Sequence, residues 1–382
     1  MTERASDRPR RLGLWGTLLL LADAPVAALV VVGYVAAFLP PRPYWWAQLV
    51  AVGLPYATWA LAALGVLWII GRRWGAVAVH IILVGLVAWR AGVLGPAGAE
   101  AEPDDLRLTT FNVPGVGPSR EALGDSVVAY VSETEPDLLL MQDAWVYGRS
   151  ERRNEPTQAI QVEAVTAQLP YSLRLPERLA GHPGWRENAT GVPVLSRDGS
   201  GLEVVEQEAL VLGVERDPDV SLVLRSVVRW QGRELVVYNV HLRSFGESKP
   251  WEDDRLALLR PSTWRPYLRR YRAVYAQRGD EVEEIAERIE GETLPVVVAG
   301  DLNSTADNWA YRRLRTAGGV DRVDAYRAVG DGWGRTYHSR RPFVRIDVVL
   351  ADPALEVVLA ETAPVTFSDH RPVRAALRWR EE

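Results

Sequence analysis

Leu294-Pro-Val-Val-Val-Ala-Gly-Asp-Leu-Asn303 is the stretch that decides the fold. A short, β-branched apolar run reads as a buried strand. It ends in Gly300-Asp-Leu-Asn303, which puts a carboxylate and a carboxamide at the strand's C-terminal tip. Asp301 and Asn303 alternate with Leu302, so on an extended backbone they point the same way. A carboxylate can hold a water and an amide can hold a phosphate oxygen, which is a hydrolytic pairing. Asp and Asn after a strand are also common turn formers.

The composition of the 382-residue chain changes near residue 98. Upstream lie three long apolar stretches, Leu12–Leu39, Tyr44–Ile70 and Trp74–Leu94. Each is long enough to cross a hydrocarbon core of about 30 Å. Trp45, Trp46 and Trp74 lie at their edges, where interfacial aromatics belong. Arg10 and Arg11 before an apolar run, and Ala22-Asp-Ala24 within it, have the look of a signal peptide. The run continues well past Ala24 and two more follow, so the expectation is an uncleaved first helix. Asp23, His80 and Arg90 fall inside these stretches. Intramembrane ionisable groups can be functional, but Asp23 can equally pair within the bundle and Arg90 is close enough to an end to snorkel.

Arginine placement gives an orientation. Arg4, Arg8, Arg10 and Arg11 precede the first stretch and Arg72 and Arg73 follow the second, whereas the first loop holds only Arg42. The positive-inside rule puts the N-terminus and second loop in the cytoplasm. Three spans then deliver the remainder to the extracytoplasmic side of a plasma (inner) membrane. The expected organisation is a membrane anchor over 1–97 (helices at about 12–39, 44–70 and 74–94), a linker over 98–105 and a catalytic domain over 106–382. The anchor carries a net +5, so the rest carries −10 in a chain of −5 overall. An acidic soluble part is a poor nonspecific polyanion binder, although local basic patches can override the average. The chain has no cysteine, which fits either side of a membrane.

Beyond the linker, pattern predicts strands over Leu106–Asn112, Asp137–Gln142, Val192–Ser196, Leu202–Val205, Leu210–Val214, Ser221–Trp230, Glu234–Leu242, Pro295–Gly300, Arg345–Leu350, Leu355–Ala360 and Val373–Arg380. Gln231-Gly-Arg233 is a hairpin signal. Helical spacing covers Arg120–Thr134, Thr157–Gln168, Tyr267–Ile289 (broken or bent near Gly279) and Asn308–Thr316. Hairpin-linked strands with a few intervening helices argue for an α+β fold with packed sheets.

Several of these strands end in polar residues that strands do not need: Asn112, Gln142-Asp143, Asn239 with His241, and Asp301 with Asn303. Asp347 interrupts an apolar run, where a lone charge destabilises unless paired. Ser368-Asp-His370 precedes the last strand. Any one of these can be a cap, a turn or a satisfied core polar group, but adjacent strand ends can converge on one cleft. Carboxylates and an amide suit a hard cation such as Mg²⁺, with Mn²⁺ or another divalent ion also admissible. The lack of cysteine and of clustered histidine argues against zinc. Two histidines near aspartates suit a phosphate clamp and an acid/base or charge-stabilising role. There is no P-loop motif, and Gly191-Val-Pro-Val-Leu-Ser196 lacks a G-x-S-x-G elbow.

Asn112, Gln142-Asp143, Gly191 with Leu195-Ser-Arg197, Asn239-Val-His241, Gly300-Asp-Leu-Asn303, Thr336-Tyr337, Arg345-Ile-Asp347 and Ser368-Asp-His370 occur in the order typical of the endonuclease/exonuclease/phosphatase superfamily. The chain resembles that deoxyribonuclease-I-like family over essentially all of residues 106–380. The resemblance implies a four-layer α/β/β/α sandwich, preceded here by the three-helix transmembrane region. It also implies Mg²⁺-dependent cleavage of a phosphoester by an activated water. Carried over by position, Asp143 holds the metal with Asn112 and Asp369 nearby. Asp301 orients or deprotonates the water, and Asn303 holds a phosphate oxygen. His241 and His370 stabilise developing charge, and Asp347 fixes the His370 imidazole. The family usually has Glu where this chain has Asp143, one methylene shorter, so a cation must sit deeper or be reached through water.

The expected partners are the lipid bilayer and a phosphoester substrate, either a lipid head group or nucleic acid. A phosphoinositide phosphatase ranks low, because the Cys-Asp-Arg segment of those enzymes is missing. The segment from Lys249 to Arg278 interleaves Arg255, Arg260, Arg265, Arg269, Arg270 and Arg272 with Trp251, Trp264, Tyr267, Tyr271 and Tyr275. That pattern suits nucleic acid, an anionic membrane surface, or a solvated helix face with its aromatics turned inward. Tethering favours lipid slightly, since an anchored site meets head groups at high effective concentration. The alternative is a non-catalytic binding or sensing module that retains the fold, with Asp143 as its only support.

Overall fold

Thirteen strands carry the two main sheets: β1 (Leu106–Asn112), β2 (Leu138–Gln142), β3 (Tyr171–Leu173), β4 (Arg178–Ala180), β5 (Val194–Arg197), β6 (Leu202–Leu212), β7 (Ser221–Trp230), β8 (Arg233–His241), β9 (Val296–Asp301), β10 (Val323–Asp324), β11 (Asp347–Ala351), β12 (Leu355–Thr362) and β13 (Val373–Trp379). The helices are α1 (Leu14–Val35), α2 (Pro41–Val52), α3 (Leu54–Ile70), α4 (Trp74–Ala91), α5 (Arg120–Thr134), α6 (Ile160–Gln168), α7 (Pro261–Glu290), α8 (Trp309–Arg315) and α9 (Ala325–Val329). The structure is a computed structural model and describes residues 13–91, 98–114, 120–147, 157–176, 178–180, 189–212, 221–246 and 260–381. The tail arginines Arg4 to Arg11, the end of the third apolar stretch (92–94), and Lys249, Trp251 and Arg255 lie outside the described residues.

The first sheet has the order β12-β13-β1-β2-β5-β3 and the second β10-β11-β9-β8-β7-β6-β4. Both are mainly antiparallel, and each has a parallel pair near its centre: β1 with β2, and β8 with β9. Alternate side chains sort the layers, because strand side chains point to opposite faces. Leu106, Leu108, Leu138 and Leu140 meet Leu235, Val237, Val297 and Ala299 between the sheets. Phe111, Leu139 and Met141 face the other way onto Val127 and Val131 of α5 and Val162 and Val165 of α6. Val236, Tyr238 and Val240 face outward onto Val282, Ile285 and Ile289 of α7 and Leu314 of α8. The layers are therefore helix, sheet, sheet, helix, as expected.

Three expectations fail for identifiable reasons. Leu202–Val205 and Leu210–Val214 are not separate strands, because the described part forms the single strand β6, Leu202–Leu212. The polar Glu206-Gln-Glu208 interrupts the apolar pattern, but Gln207 is buried and donates to Ser226 Oγ at 3.0 Å, and β6 stays paired with β7 across a bulge. Helix α7 is not broken at Gly279. A Cβ there would lie 2.6 Å from Pro41 Cγ, so this glycine permits the close approach of α2. The stretch Tyr44–Ile70 is not one helix. It is α2 and α3, meeting at Gly53 with a 57° bend, and Pro55 in the first turn of α3 removes a donor. The hairpin signal holds: Gln231 and Gly232 take φ of +53° and +75°, and Trp230 pairs with Arg233.

By length and composition, α1 (with its continuation to Phe38) and α4 can each cross a membrane, and the count rises to three if α2 and α3 form one broken span. Leu14, Trp15, Leu21, Ile70, Ile81 and Trp89 turn outward. Inside the bundle, Asp23 pairs with His80 Nε2 at 2.8 Å and accepts from Trp68 Nε1 at 3.2 Å. Asp23, Trp68 and His80 thus satisfy one another inside the bundle.

Asn239, fully buried on the inner face of β8, links the sheets. Its Nδ2 reaches the carbonyls of Met141, Val192 and Pro193 at 3.0, 3.0 and 3.2 Å, and its Oδ1 accepts from Gln142 Nε2 at 2.6 Å. Asn239→Ala strands these buried groups and should cost about 2–3 kcal/mol, read as a lower denaturant midpoint for the purified protein in detergent.

Candidate active site

Parallel pairing puts both C-termini of a pair at one edge of its sheet. Asn112 is in register with Gln142, and His241 with Asp301. Asp347 begins β11 directly opposite Asp301 in the antiparallel pair. His370 lies just ahead of β13, which runs antiparallel to β1 with Val373 opposite Thr110. All these residues therefore come to one end of the sandwich. Gly300 makes the approach of β9 to β8 possible: its φ is +136°, and a Cβ would fall 1.9 Å from Val240 O. Asn303 then takes φ +46°, a conformation asparagine tolerates, and turns the chain back over the strand tip.

Asp301 is 1% exposed. Its Oδ1 accepts the Asn303 backbone N–H at 2.7 Å, and its Oδ2 accepts from Asn112 Nδ2 at 3.0 Å and Asn303 Nδ2 at 3.3 Å. His241 Nε2 and His370 Nε2 flank the same Oδ2 at 3.7 and 3.8 Å, too far for hydrogen bonds. Burial raises the Asp301 pKa and the Asp347 charge adds to this, while both histidines oppose it.

His370 is fixed from three sides. Its Nδ1 meets the Asp347 carboxylate at 3.0 and 3.1 Å. Its backbone N–H donates to Ser368 Oγ at 3.0 Å, and that hydroxyl donates to Asn112 O at 2.7 Å. The Tyr337 ring lies 4.9 Å from the imidazole. Burial disfavours the imidazolium, but Asp347 and then Asp301 outweigh it and push the pKa up to about 10. The two carboxylates therefore favour the imidazolium, with Nδ1 committed to Asp347 and Nε2 aimed at Asp301.

The predicted metal residues lie on the same edge. Asn112 Oδ1 and Asp369 Oδ1 are buried acceptors with no hydrogen-bond partner, the kind of orphan that calls for a ligand. Asp143 takes φ +57° and has a 43% exposed side chain, with Oδ1 3.5 Å from His241 Nδ1. An all-oxygen donor set of this kind fits a hard divalent cation. Among the described residues, the ionisable group whose ligand atoms come within 4.8 Å of one another is Asp301, Asp347 and His370. An ion at that cluster would compete with the His370–Asp347 pair.

Two residues matter more here than their sequence context indicated. Thr336 Oγ1 accepts the backbone N–H groups of Ile346 and Asp347 at 3.2 and 3.3 Å and so sets the start of β11. Arg278 is 1% exposed, donates to Asn303 O at 2.6 Å and Ser304 Oγ at 3.2 Å, and stacks over Phe245. It sits at the end of a run of exposed arginines, and only the helical phase, which puts it beside the buried Tyr275, separates it from them.

The pKa of His370 sets a pH dependence. A folded value above the ordinary 6.5 means that protonation stabilises the fold fully below 6.5 and that the contribution is lost as pH rises through about 10. The thermal advantage of wild type over Asp347→Asn should be largest at about pH 6 and shrink toward alkaline pH. Imidazole ¹⁵N spectra should show His370 titrating lower in the variant.

No curated protein matches the chain. Among solved structures, an endonuclease/exonuclease/phosphatase from Bacteroides vulgatus is 20% identical, with TM-score 0.50, over 72% of this chain and 99% of that one. An endonuclease/exonuclease/phosphatase family protein from Leptotrichia buccalis is 14% identical, with TM-score 0.50, over 72% of this chain and 100% of that one. At such identities the likeness is one of fold. The sequence model of the Endonuclease/Exonuclease/phosphatase family, however, matches residues 109–370. Because that match begins inside β1, ends on His370 and takes in more than half of the chain, the protein belongs to the Endonuclease/Exonuclease/phosphatase family.

Proposed function

We propose that the protein is a membrane-anchored, divalent-metal-dependent phosphoesterase, with an anchor over 1–97, a linker over 98–105 and a catalytic domain over 106–382. The observation that carries this reading is the buried Asp301 carboxylate with two imidazole Nε2 atoms at 3.7 and 3.8 Å from one of its oxygens. That gap suits a water or a phosphate oxygen between groups that are otherwise fixed. Asp301 takes the proton of the attacking water, and its raised pKa makes it a better base than an ordinary aspartate. His370, held as a cation by Asp347, donates from Nε2 to the oxygen on which charge develops, and His241 assists from the other side. The Asn303 amide donates to Leu242 O at 2.8 Å and to Asp301, so a phosphate oxygen would displace one of these bonds. Asn112, Asp143 and Asp369 would hold Mg²⁺ or Mn²⁺, which supplies Lewis-acid polarisation of the phosphoryl group.

The substrate reading favours a lipid head group. Residues 331–344 connect the site to the apolar helices. Tyr337 packs on His370, while Phe343 O accepts from Tyr56 Oη at 2.7 Å and Trp333 lies 6.2 Å from Trp59. Trp333, Phe343, Arg340 and Arg341 are exposed on this segment. Aromatics and arginines beside the end of a span suit the interface of an anionic bilayer. A nucleic-acid substrate draws on one other feature, the exposed Arg265, Arg269, Arg270 and Arg272 of α7.

Orientation is supported by which helix ends meet the catalytic domain. Arg312 stacks on Phe38 after α1, Tyr56 at the start of α3 bonds Phe343, and Arg90 at the end of α4 pairs with Asp307 at 3.4 Å. Arg72 and Arg73 lie at the opposite ends of these helices. With those arginines cytoplasmic, the catalytic domain is extracytoplasmic.

Four results are expected. The purified chain hydrolyses a generic aryl phosphodiester or phosphomonoester with Mg²⁺ or Mn²⁺ and stops on chelation. Asp301→Asn and His370→Ala each reduce turnover by about 10²-fold or more. Activity indifferent to both variants would remove the site assignment, and inactivity with every metal and substrate class would favour a non-catalytic binding module. In a side-by-side screen, lipid phosphoesters in vesicles are cleaved faster than duplex DNA or RNA, and the reverse order would overturn the lipid reading. A reporter fused after Glu382 is active only outside the cytoplasm.

A further inference from the structure

The loop that leaves β9, Leu302 to Asn308, is gripped from the membrane side. Gln48 of α2 is 1% exposed, and every hydrogen-bonding position of its carboxamide is used. Its Nε2 donates to Ala36 O and Leu39 O, both at 2.9 Å, beyond the end of α1. Its Oε1 accepts the Trp309 backbone N–H at 2.9 Å, capping α8 from another part of the chain, and Asn308 Nδ2 at 3.3 Å. Its backbone O accepts from Asn308 Nδ2 at 2.8 Å. On the loop side, Asn308 Oδ1 accepts the Thr305 backbone N–H at 2.8 Å and the Thr305 hydroxyl at 2.9 Å. Arg90 of α4 pairs with Asp307, and Arg278 of α7 holds Asn303 O and Ser304 Oγ. Gly279, next to Arg278, is the point where α2 comes close enough for Pro41 to fill the space of a Cβ.

We infer that Gln48 is a positioning residue for Asn303: the membrane helices clamp the far end of the loop whose near end carries Asp301 and Asn303, and so form part of the active-site scaffold. Apolar packing alone could dock α2 on α7. A saturated buried amide instead fixes one register, because a slip leaves several polar groups unpaired at once. The loop is short and is held at Asn303 by Arg278 and at Asn308 by Gln48, so freedom at one end is transmitted to the other. In a site that works by positioning, a displacement well below 1 Å has a measurable cost.

The inference deepens the proposed hydrolytic reading, and its test separates the two. The full chain in lipid nanodiscs is compared with Gln48→Ala and with Asn308→Asp, which keeps the acceptor for Thr305 and removes the donor to Gln48. Arg42→Ala is the control, since it breaks the exposed Arg42–Asp280 pair between α2 and α7 without touching the loop. Backbone hydrogen exchange should speed up over Leu302–Trp309 in both loop variants while Leu138–Gln142 stays protected, and neither segment should change in Arg42→Ala. With a soluble aryl phosphodiester, kcat should fall about tenfold while KM moves less than about twofold. The double variant should be no worse than the poorer single one. Unchanged exchange in the loop variants would overturn the clamp. Faster exchange with unchanged kcat would overturn its positioning role. A wild type that hydrolyses nothing would sink the hydrolytic reading, and exchange would still decide the clamp. If Gln48→Ala loosens the whole domain, Asn308→Asp decides alone.

Discussion

A carboxylate at Asp301 with almost no access to water is the constraint on which the rest of this domain depends. Burying an unpaired charge costs far more than one ordinary contact returns, so the surroundings must supply donors or cations. They do so from both sheets: Asn112 arrives from β1, and Asn303, His241 and His370 arrive around β8, β9 and the approach to β13. Each is a strand-end residue. The carboxylate therefore serves as a tie between the sheets and as the centre of the site. Asp347 is a second buried carboxylate that raises the pKa of the first, and the imidazolium between them is what makes the pair tolerable.

The same logic explains why both sheets have a central parallel pair in a largely antiparallel fold. An antiparallel hairpin sends neighbouring strand ends to opposite edges. Pairing β1 with β2 and β8 with β9 in parallel brings four C-terminal ends to one edge, and the antiparallel partners β11 and β13 begin there. The groups around Asp301 come from four of these segments, the ends of β1, β8 and β9 and the approach to β13. The Gln142–Asn239 contact just below keeps the sheets in register at that edge.

Much of this was legible in the sequence because it is written in short-range pattern. Alternation marked β1, and β-rich runs around a hairpin signal marked β7 and β8, nearly to the residue, while polar residues closing apolar runs marked the site. Other features depended on contacts between distant residues. The polar middle of β6 hid one strand as two, because Gln207 is satisfied by Ser226 on the neighbouring strand. Gly279 looked like a helix breaker, and its purpose was visible only once Pro41 lay against it. Arg278 resembled its exposed neighbours until its helical phase turned it under Phe245. Hydropathy marked Tyr44–Ile70 as one apolar unit, but Gln48 and the Gly53–Pro55 break divide it into α2, which lies against α7, and α3, which packs with α1 and α4.

That division gives the chain its geometry. The 57° bend turns α2 away from the line of α3. It lays α2 along α7, which packs against the outer face of the second sheet, and brings Gln48 to the start of α8. The helix ends that contact the domain then sit beside residues 331–344, which lean on His370, and beside the loop that carries Asn303. Two separate noncovalent paths thus run from the apolar bundle toward the Asp301 carboxylate, one through His370 and one through Asn303. Held on both sides, the site has a defined height and tilt relative to the bundle, which a tether through a linker alone would leave free. On the proposed lipid reading, a substrate would meet such a site in a restricted set of poses, and the entropy of orienting it would already be reduced before binding.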